Sequence, residues 1–194
     1  MSFDEALKIA QEKGYAEKDP TADVEGYDAC RKVCILASLA FGKHVYPNQV
    51  ETEGITNITL EDVSYIENAG GVIKLLGQIK YINDNEIAAF VSPAVVYNGS
   101  QLASVKDVFN AILVRGDAVG DVCFYGPGAG KLPTASAVVA DIIDCAKHSE
   151  RKKIFGWGAG NEDYVVDYKE RIEMPFYVRA KATPAEINAK FSDG

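Results

Sequence analysis

The feature that most constrains this chain is the run at residues 33–41, Val-Cys-Ile-Leu-Ala-Ser-Leu-Ala-Phe, which is apolar nearly all round. A helix without a polar stripe is buried along much of its length, so other elements must be wrapped around it. Just before it stand carboxylates at Glu17, Asp19, Asp23, Glu25 and Asp28, then Lys32 one turn beyond Asp28. Charges at the mouth of a buried helix have to be paired, solvated or used. At about 100° per residue, Asp28 and Lys32 lie on nearly the same face, about 40° apart.

Each group has an ordinary structural explanation. Asp28 and Lys32 suit an i,i+4 ion pair, which stabilises an exposed helix by only a few tenths of a kcal/mol. Asp19-Pro20 suits a loop entering a helix, since proline is favoured in the first turn. Asp23 suits an N-cap, and Glu25 suits the positive end of a helix. The long helix is expected from about residue 24 to residue 42, with Gly26 near its start. Glycine there either leaves room for a ligand or permits close packing, and both explanations stay open. None of these accounts covers the whole acidic string.

The rest of the chain alternates between helical and extended patterns. Residues 2–14 read as an amphipathic helix, with Ser2 and Glu5 forming a capping box and Gly14 as the stop that delivers Tyr15 and Glu17 at its exit. Thr59 signals a short helix ending at Gly70-Gly71. Strands are expected at 72–82 and 86–91 across a turn at 83–85, with Pro93 marking an edge or an exit. Residues 110–115 and 121–125 read as a second strand pair, and Pro133 opens a helix to about residue 148. Helices at both ends around a group of strands predict an α+β domain, a mixed sheet flanked by helices. One domain is expected over 1–148. Residues 149–194 are expected to be a C-terminal extension, with a strand at 170–180 and a helix at 184–191, the truncated start of a regulatory domain.

Composition narrows the classes of function. A formal net charge of −8 argues against nucleic acid, whose phosphates demand a basic face. No apolar run approaches the length needed to cross a bilayer, and the N-terminus lacks a signal peptide's basic and apolar regions, so a cytoplasmic protein is expected. Cys30, Cys34, Cys123 and Cys145 form no C-x-x-C pair, and only His44 and His148 are available to join them. No metal site is expected from that spacing, and the thiols read as reduced and mostly buried.

The acidic string has a wider likeness. Gly14-Tyr15-x-Glu17-x-Asp19-Pro20-Thr21-x-Asp23-Val24-x-Gly26-x-Asp28-x-x-x-Lys32 closely resembles the substrate-binding segment of the homoserine dehydrogenase family. A second stretch resembles that family's C-terminal signature: Asn110-Ala111, Gly116-Asp117-x-Val119-Gly120, then Phe124-Tyr125-Gly126-x-Gly128-Ala129-Gly130-x-x-Pro133-Thr134-Ala135-Ser136. The likeness covers about residues 2–146. Full-length members begin with a nucleotide-binding Rossmann domain, and this chain has no Gly-x-Gly-x-x-Gly opening a helix after a first strand. The chain is therefore expected to be the substrate-binding and dimerisation domain of such an enzyme, inactive alone.

The resemblance implies reversible hydride transfer between NAD(P)H and an aldehyde, L-aspartate 4-semialdehyde becoming L-homoserine, in threonine and methionine biosynthesis. It implies Lys32 as the catalytic lysine, with Asp28 orienting it. Glu17, Asp23, Asp28 and Lys32, with Gly14 and Tyr15, are implied to hold the substrate. Gly130 is implied to lie beside the dinucleotide, which is otherwise bound by the absent domain, as is a second lysine. The residues choosing NAD over NADP also belong to that domain. A homodimer through this domain is implied as well. As lysine is charged at neutral pH, Lys32 suits electrostatic catalysis and proton donation in reduction. The alternative is a non-catalytic amino-acid-binding or dimerisation module, and a purely structural reading has the acidic loop capping a buried helix.

Overall fold

The computed structural model of the protein describes residues 3–151, 154 and 156–190. Helix α1 spans Phe3–Glu12, α2 Thr21–Val24 and α3 Tyr27–Phe41. Strand β1 (Glu51–Thr52), helix α4 (Leu60–Asn68) and the long strands β2 (Gly71–Asn83) and β3 (Glu86–Tyr97) follow. The hairpin β4 (Phe109–Gly116) and β5 (Gly120–Pro127) leads to α5 (Lys131–Lys147), α6 (Tyr168–Arg171) and α7 (Pro184–Lys190). The α+β class expected from the sequence is the one observed.

The main sheet has the order β1-β3-β2, with β1 parallel and β2 antiparallel to β3. In β3, Ile87, Ala88, Ala89, Phe90 and Val91 are all buried. Their unbroken apolar run, in place of alternation, follows from cover on both faces. On one face Cys30, Val33, Cys34 and Ala37 of α3 form a core with Ile87, Ala89 and Val91. Gly77 of β2 makes this close approach possible, because a Cβ there would sit 2.3 Å from Val33 Cγ2.

The other face of β3 is covered by residues far along the chain. The Tyr168 ring stacks on Phe90 at 3.9 Å between centroids, beside Ala88. Ile87 N donates to Tyr164 O at 3.0 Å and Val166 N donates to Ile87 O at 2.9 Å, so residues 164–166 lie alongside the strand. Earlier, His44 N donates to Gly158 O and Gly158 N to Gly42 O, both at 2.9 Å. Residues 156–180, expected as an extension, thus run along the sheet and its loops.

Several local expectations change. The long helix expected from residue 24 is broken at Glu25-Gly26, where Gly26 adopts φ +80° and α3 begins afterwards. Asp23 is accordingly within the four-residue α2 and is no N-cap, a position held by Pro20. β3 continues through Pro93, paired with Leu75. The β1 ladder ends at Val91, so that edge asks for no donor at position 93. Helix α5 starts at Lys131, two residues before Pro133. Residues 172–180 form no strand ladder. The capping box expected from Ser2 lies outside the described residues, whereas Thr59 caps α4 as expected, reciprocated by Asp62.

Candidate functional site

The acidic stretch folds as a sequence of small corners. Helix α1 ends where Gly14 takes φ +70°, Gly14 N donating to Gln11 O at 3.0 Å and Tyr15 N to Ala10 O at 2.8 Å. These two bonds satisfy carbonyls that the helix end leaves free, and only glycine takes that conformation without strain. Gln11 Nε2 donates to Glu17 O at 2.9 Å, tying the next loop back to α1. Asp19 then accepts from the Thr21 hydroxyl at 2.6 Å and the Thr21 N–H at 3.1 Å, which together hold its carboxyl below the ordinary range. Asp19 is therefore a turn-builder before α2.

Gly26 decides where the acids end and the helix begins. It is buried, and a Cβ there would meet Thr52 Cγ2 at 3.2 Å and Val91 Cγ1 at 3.3 Å. Its positive φ and this close packing favour the second explanation left open by the sequence. Cys30 N then donates to Gly26 O at 2.9 Å, starting α3 with Asp28 in its first turn.

On α3, Lys32 Nζ lies 2.5 Å from Asp28 Oδ2, with side chains 60% and 40% exposed. Glu17 and Asp23 are exposed on the loop and on α2, and neither forms an ion pair with Lys32 among the described residues. The structure thus joins Asp28 to Lys32, sets Tyr15 and Glu17 at the exit of α1, and leaves the amine facing one carboxylate. The side of α3 that carries Lys32 continues, three and seven residues on, into Ile35 and Leu39, which are 53% and 54% exposed. A cation followed by open apolar side chains on one helix face is an incomplete surface.

Gly130 occupies the position before α5 with φ +115° and ψ 151°, a region open essentially to glycine alone. The nearest atom to a Cβ there is Pro133 Cδ at 3.6 Å, so backbone conformation, and not crowding, requires the glycine. Its carbonyl accepts from Thr134 N at 3.2 Å, while no side chain caps the helix. Open backbone before a seventeen-residue helix suits an anionic group such as a dinucleotide phosphate. Gly128, two residues earlier in the same motif, is crowded by Asn110: a Cβ there would overlap its side-chain amide.

Elsewhere the chemistry is quieter. Burial, then the adjacent Cys30, pushes the Cys34 thiol up to about 12, so no thiolate forms there at neutral pH. Among the described residues no group of three or more His, Cys, Asp or Glu could hold a metal ion. No helix among them is long and apolar enough to cross a membrane. What the sequence did not single out is the segment 53–55, which packs directly on the α2–α3 corner. Gly54, isolated in a polar stretch, was its only local sign.

The family model described as homoserine dehydrogenase matches residues 1–143. The homoserine dehydrogenase of Bacillus subtilis is 44% identical over 146 residues, 75% of this chain and 34% of that protein. That of Pseudomonas aeruginosa is 44% identical over 187 residues, 93% of this chain and 43% of that protein. Among solved structures, a homoserine dehydrogenase of S. aureus superposes with a TM-score of 0.70 at 46% identity, covering 78% of this chain and 38% of that one. One from Thiobacillus denitrificans gives 0.72 at 42% identity, covering 86% and 39%. The chain therefore spans well under half the length of these relatives. With the acidic corner, the Asp28–Lys32 pair and the glycine-led α5 all falling inside the matched region, the chain belongs to the homoserine dehydrogenase family.

Proposed function

We propose that this chain is the substrate-binding half of an oxidoreductase that interconverts L-homoserine and L-aspartate 4-semialdehyde, a step of threonine and methionine biosynthesis. The observation that carries the proposal is the Asp28–Lys32 pair, 2.5 Å apart at the open end of a helix whose other face is buried. A zwitterionic amino acid needs acids for its ammonium and a cation near its reacting oxygen. Glu17, Asp23 and Asp28 supply the first, with Gly14 and Tyr15 shaping the loop, and Lys32 supplies the second.

In the reduction, Lys32 polarises the aldehyde carbonyl and gives a proton to the oxygen as it becomes a hydroxyl. Asp28 holds the amine in place until substrate arrives. The nicotinamide, when bound, supplies or accepts the hydride. Gly130 and the start of α5 are proposed to lie along its phosphates, and the backbone there fits such a group, being open and glycine-dependent. The rest of the cofactor site, and the selection of NAD or NADP, falls to a separate nucleotide-binding domain.

Two open surfaces support a larger assembly. Helix α5 has no buried residue although Leu132, Val138, Val139, Ile142 and Ile143 are on it. Together with Ile35 and Leu39 beside Lys32, it is proposed to pack on the nucleotide-binding domain and close the site against water. On the β4–β5 hairpin, Ile112, Val114 and Phe124 are exposed, and a second copy of the chain is the proposed cover, giving a homodimer. The free cysteines are in keeping with a cytoplasmic setting.

Titration calorimetry tests the reading, using L-homoserine with and without NADP on the chain alone and on the chain joined to its nucleotide-binding domain. Binding and oxidation of homoserine by the joined protein are expected, with weak binding and no turnover by the chain alone. Strong homoserine binding by the chain alone, with no turnover on joining, would instead favour a non-catalytic amino-acid-binding module.

A further inference from the structure

Residues 53–55 are pressed against the corner that carries the acids. Glu53 N donates to Val91 O at 2.8 Å, and Ile55 N donates to Val24 O at 2.9 Å. Gly54 between them is buried, and a Cβ there would sit 2.3 Å from Val24 O and 2.5 Å from Glu25 Cα. Both are backbone atoms, so no side-chain rotation relieves the overlap. The backbone at Gly54 is not left-handed, and lack of space alone excludes a side chain.

The far end of the same loop is fastened by the tail of the chain. Asp62, whose side chain is 3% exposed, accepts from Thr59 N and Thr59 Oγ1, both at 2.8 Å, and from Tyr177 OH at 2.9 Å. Arg179 pairs with the same carboxylate through Nη1, while its Nη2 donates to Asn57 O at 3.2 Å. The loop is thus held by the β3 ladder at one end and by a buried, multiply bonded carboxylate at the other. The α2–α3 corner is a four-residue helix and a glycine turn, with Asp23 and Thr21 exposed.

We infer that Gly54 is a positioning residue: the loop at residues 53–59, fastened by Tyr177 and Arg179, sets where Asp23 on α2 stands relative to the Asp28–Lys32 pair on α3. This rests on the function proposed above. An alanine Cβ would require Val24 O to retreat by about 1 Å to reach an ordinary contact, and displacement of that size at a site is worth about 100-fold in rate.

The test uses the enzyme that carries this chain and its nucleotide-binding domain. For Gly54→Ala, kcat/KM for L-homoserine is expected to fall about 100-fold while KM for the nicotinamide cofactor stays within about two-fold. Arg179→Ala is expected to act in the same direction by about 3- to 10-fold, with part of the loss restored in Arg179→Lys. A kcat/KM for homoserine within about three-fold of the parent, with only the melting temperature lowered, would make Gly54 merely structural and overturn the inference. If Gly54→Ala does not fold, the arginine pair decides, and unchanged kinetics in Arg179→Ala overturn it. A parent enzyme that folds but does not oxidise homoserine removes the proposed function, and the inference with it.

Discussion

Replacing Lys32 with alanine separates the catalytic account of the Asp28–Lys32 pair from the structural one. The pair is short, at 2.5 Å, yet both side chains are open to water at 60% and 40% exposure. An exposed i,i+4 pair contributes roughly 0.3–0.5 kcal/mol. Alanine recovers part of that through its higher helix propensity. The net loss is then below about 0.5 kcal/mol, a melting shift within about 2 °C for a chain of this size. Catalysis responds on another scale. Removing one preorganised group that stabilises developing charge lowers turnover about 100- to 1000-fold, equivalent to roughly 3–4 kcal/mol. The assay is paired: thermal melting of Lys32→Ala beside the parent, and initial rates of homoserine oxidation in the joined enzyme. Turnover within a few-fold of the parent would refute the role of Lys32. A large drop in melting temperature would refute the premise that the pair is only weakly structural.

Other positions give independent checks. Gly77→Ala places a Cβ 2.3 Å from Val33 Cγ2 and is expected to cost about 1–3 kcal/mol in denaturant unfolding, with the loss relieved by adding Val33→Ala. At Gly130, alanine meets strain at φ +115° of about 1–3 kcal/mol despite open space, so KM for the cofactor should rise while homoserine binding by the chain is unaffected. The Thr59 N–H first, then the Thr59 hydroxyl, Tyr177 and Arg179, hold the Asp62 carboxyl below its ordinary range against the opposing effect of burial. The unfolded chain therefore binds that proton more readily; stability from Asp62 is present above the unfolded value of about 3.9 and is lost as pH falls through the lower folded one. Melts of Asp62→Asn and parent should converge as pH drops from about 5 to about 2, and a constant difference would exclude the linkage.

Local signals in the sequence were faithful where the physics is local. Gly14 stops α1 because a helix end needs a left-handed residue, and Thr59 caps α4 because its hydroxyl reaches an N–H three residues on. The spacing of Asp28 and Lys32 alone implied their contact. Close packing at Gly26 was one of two explanations the sequence left open, but the helix break there was not legible, since Thr52 and Val91, which crowd the position, come from other elements. Tyr164 and Tyr168 escaped for a similar reason: single aromatics in an aperiodic stretch carry no sign that they will cover a strand some eighty residues earlier. The packing of Gly54 on the α2–α3 corner was not legible because it rests on backbone atoms of Val24 and Glu25, distant in sequence, and on no side-chain pattern.

The position of Tyr168 over Phe90 also has a consequence for how the protein is made. The β2–β3 hairpin is complete once Tyr97 has been synthesised, but Tyr168 leaves the ribosome about 70 residues later. At about 5–20 residues per second, one side of the nascent hairpin stays uncovered for roughly 4–14 s. Newly made chains are therefore vulnerable to sticking together during that interval, and shortening the chain before Tyr164 would make the vulnerability permanent.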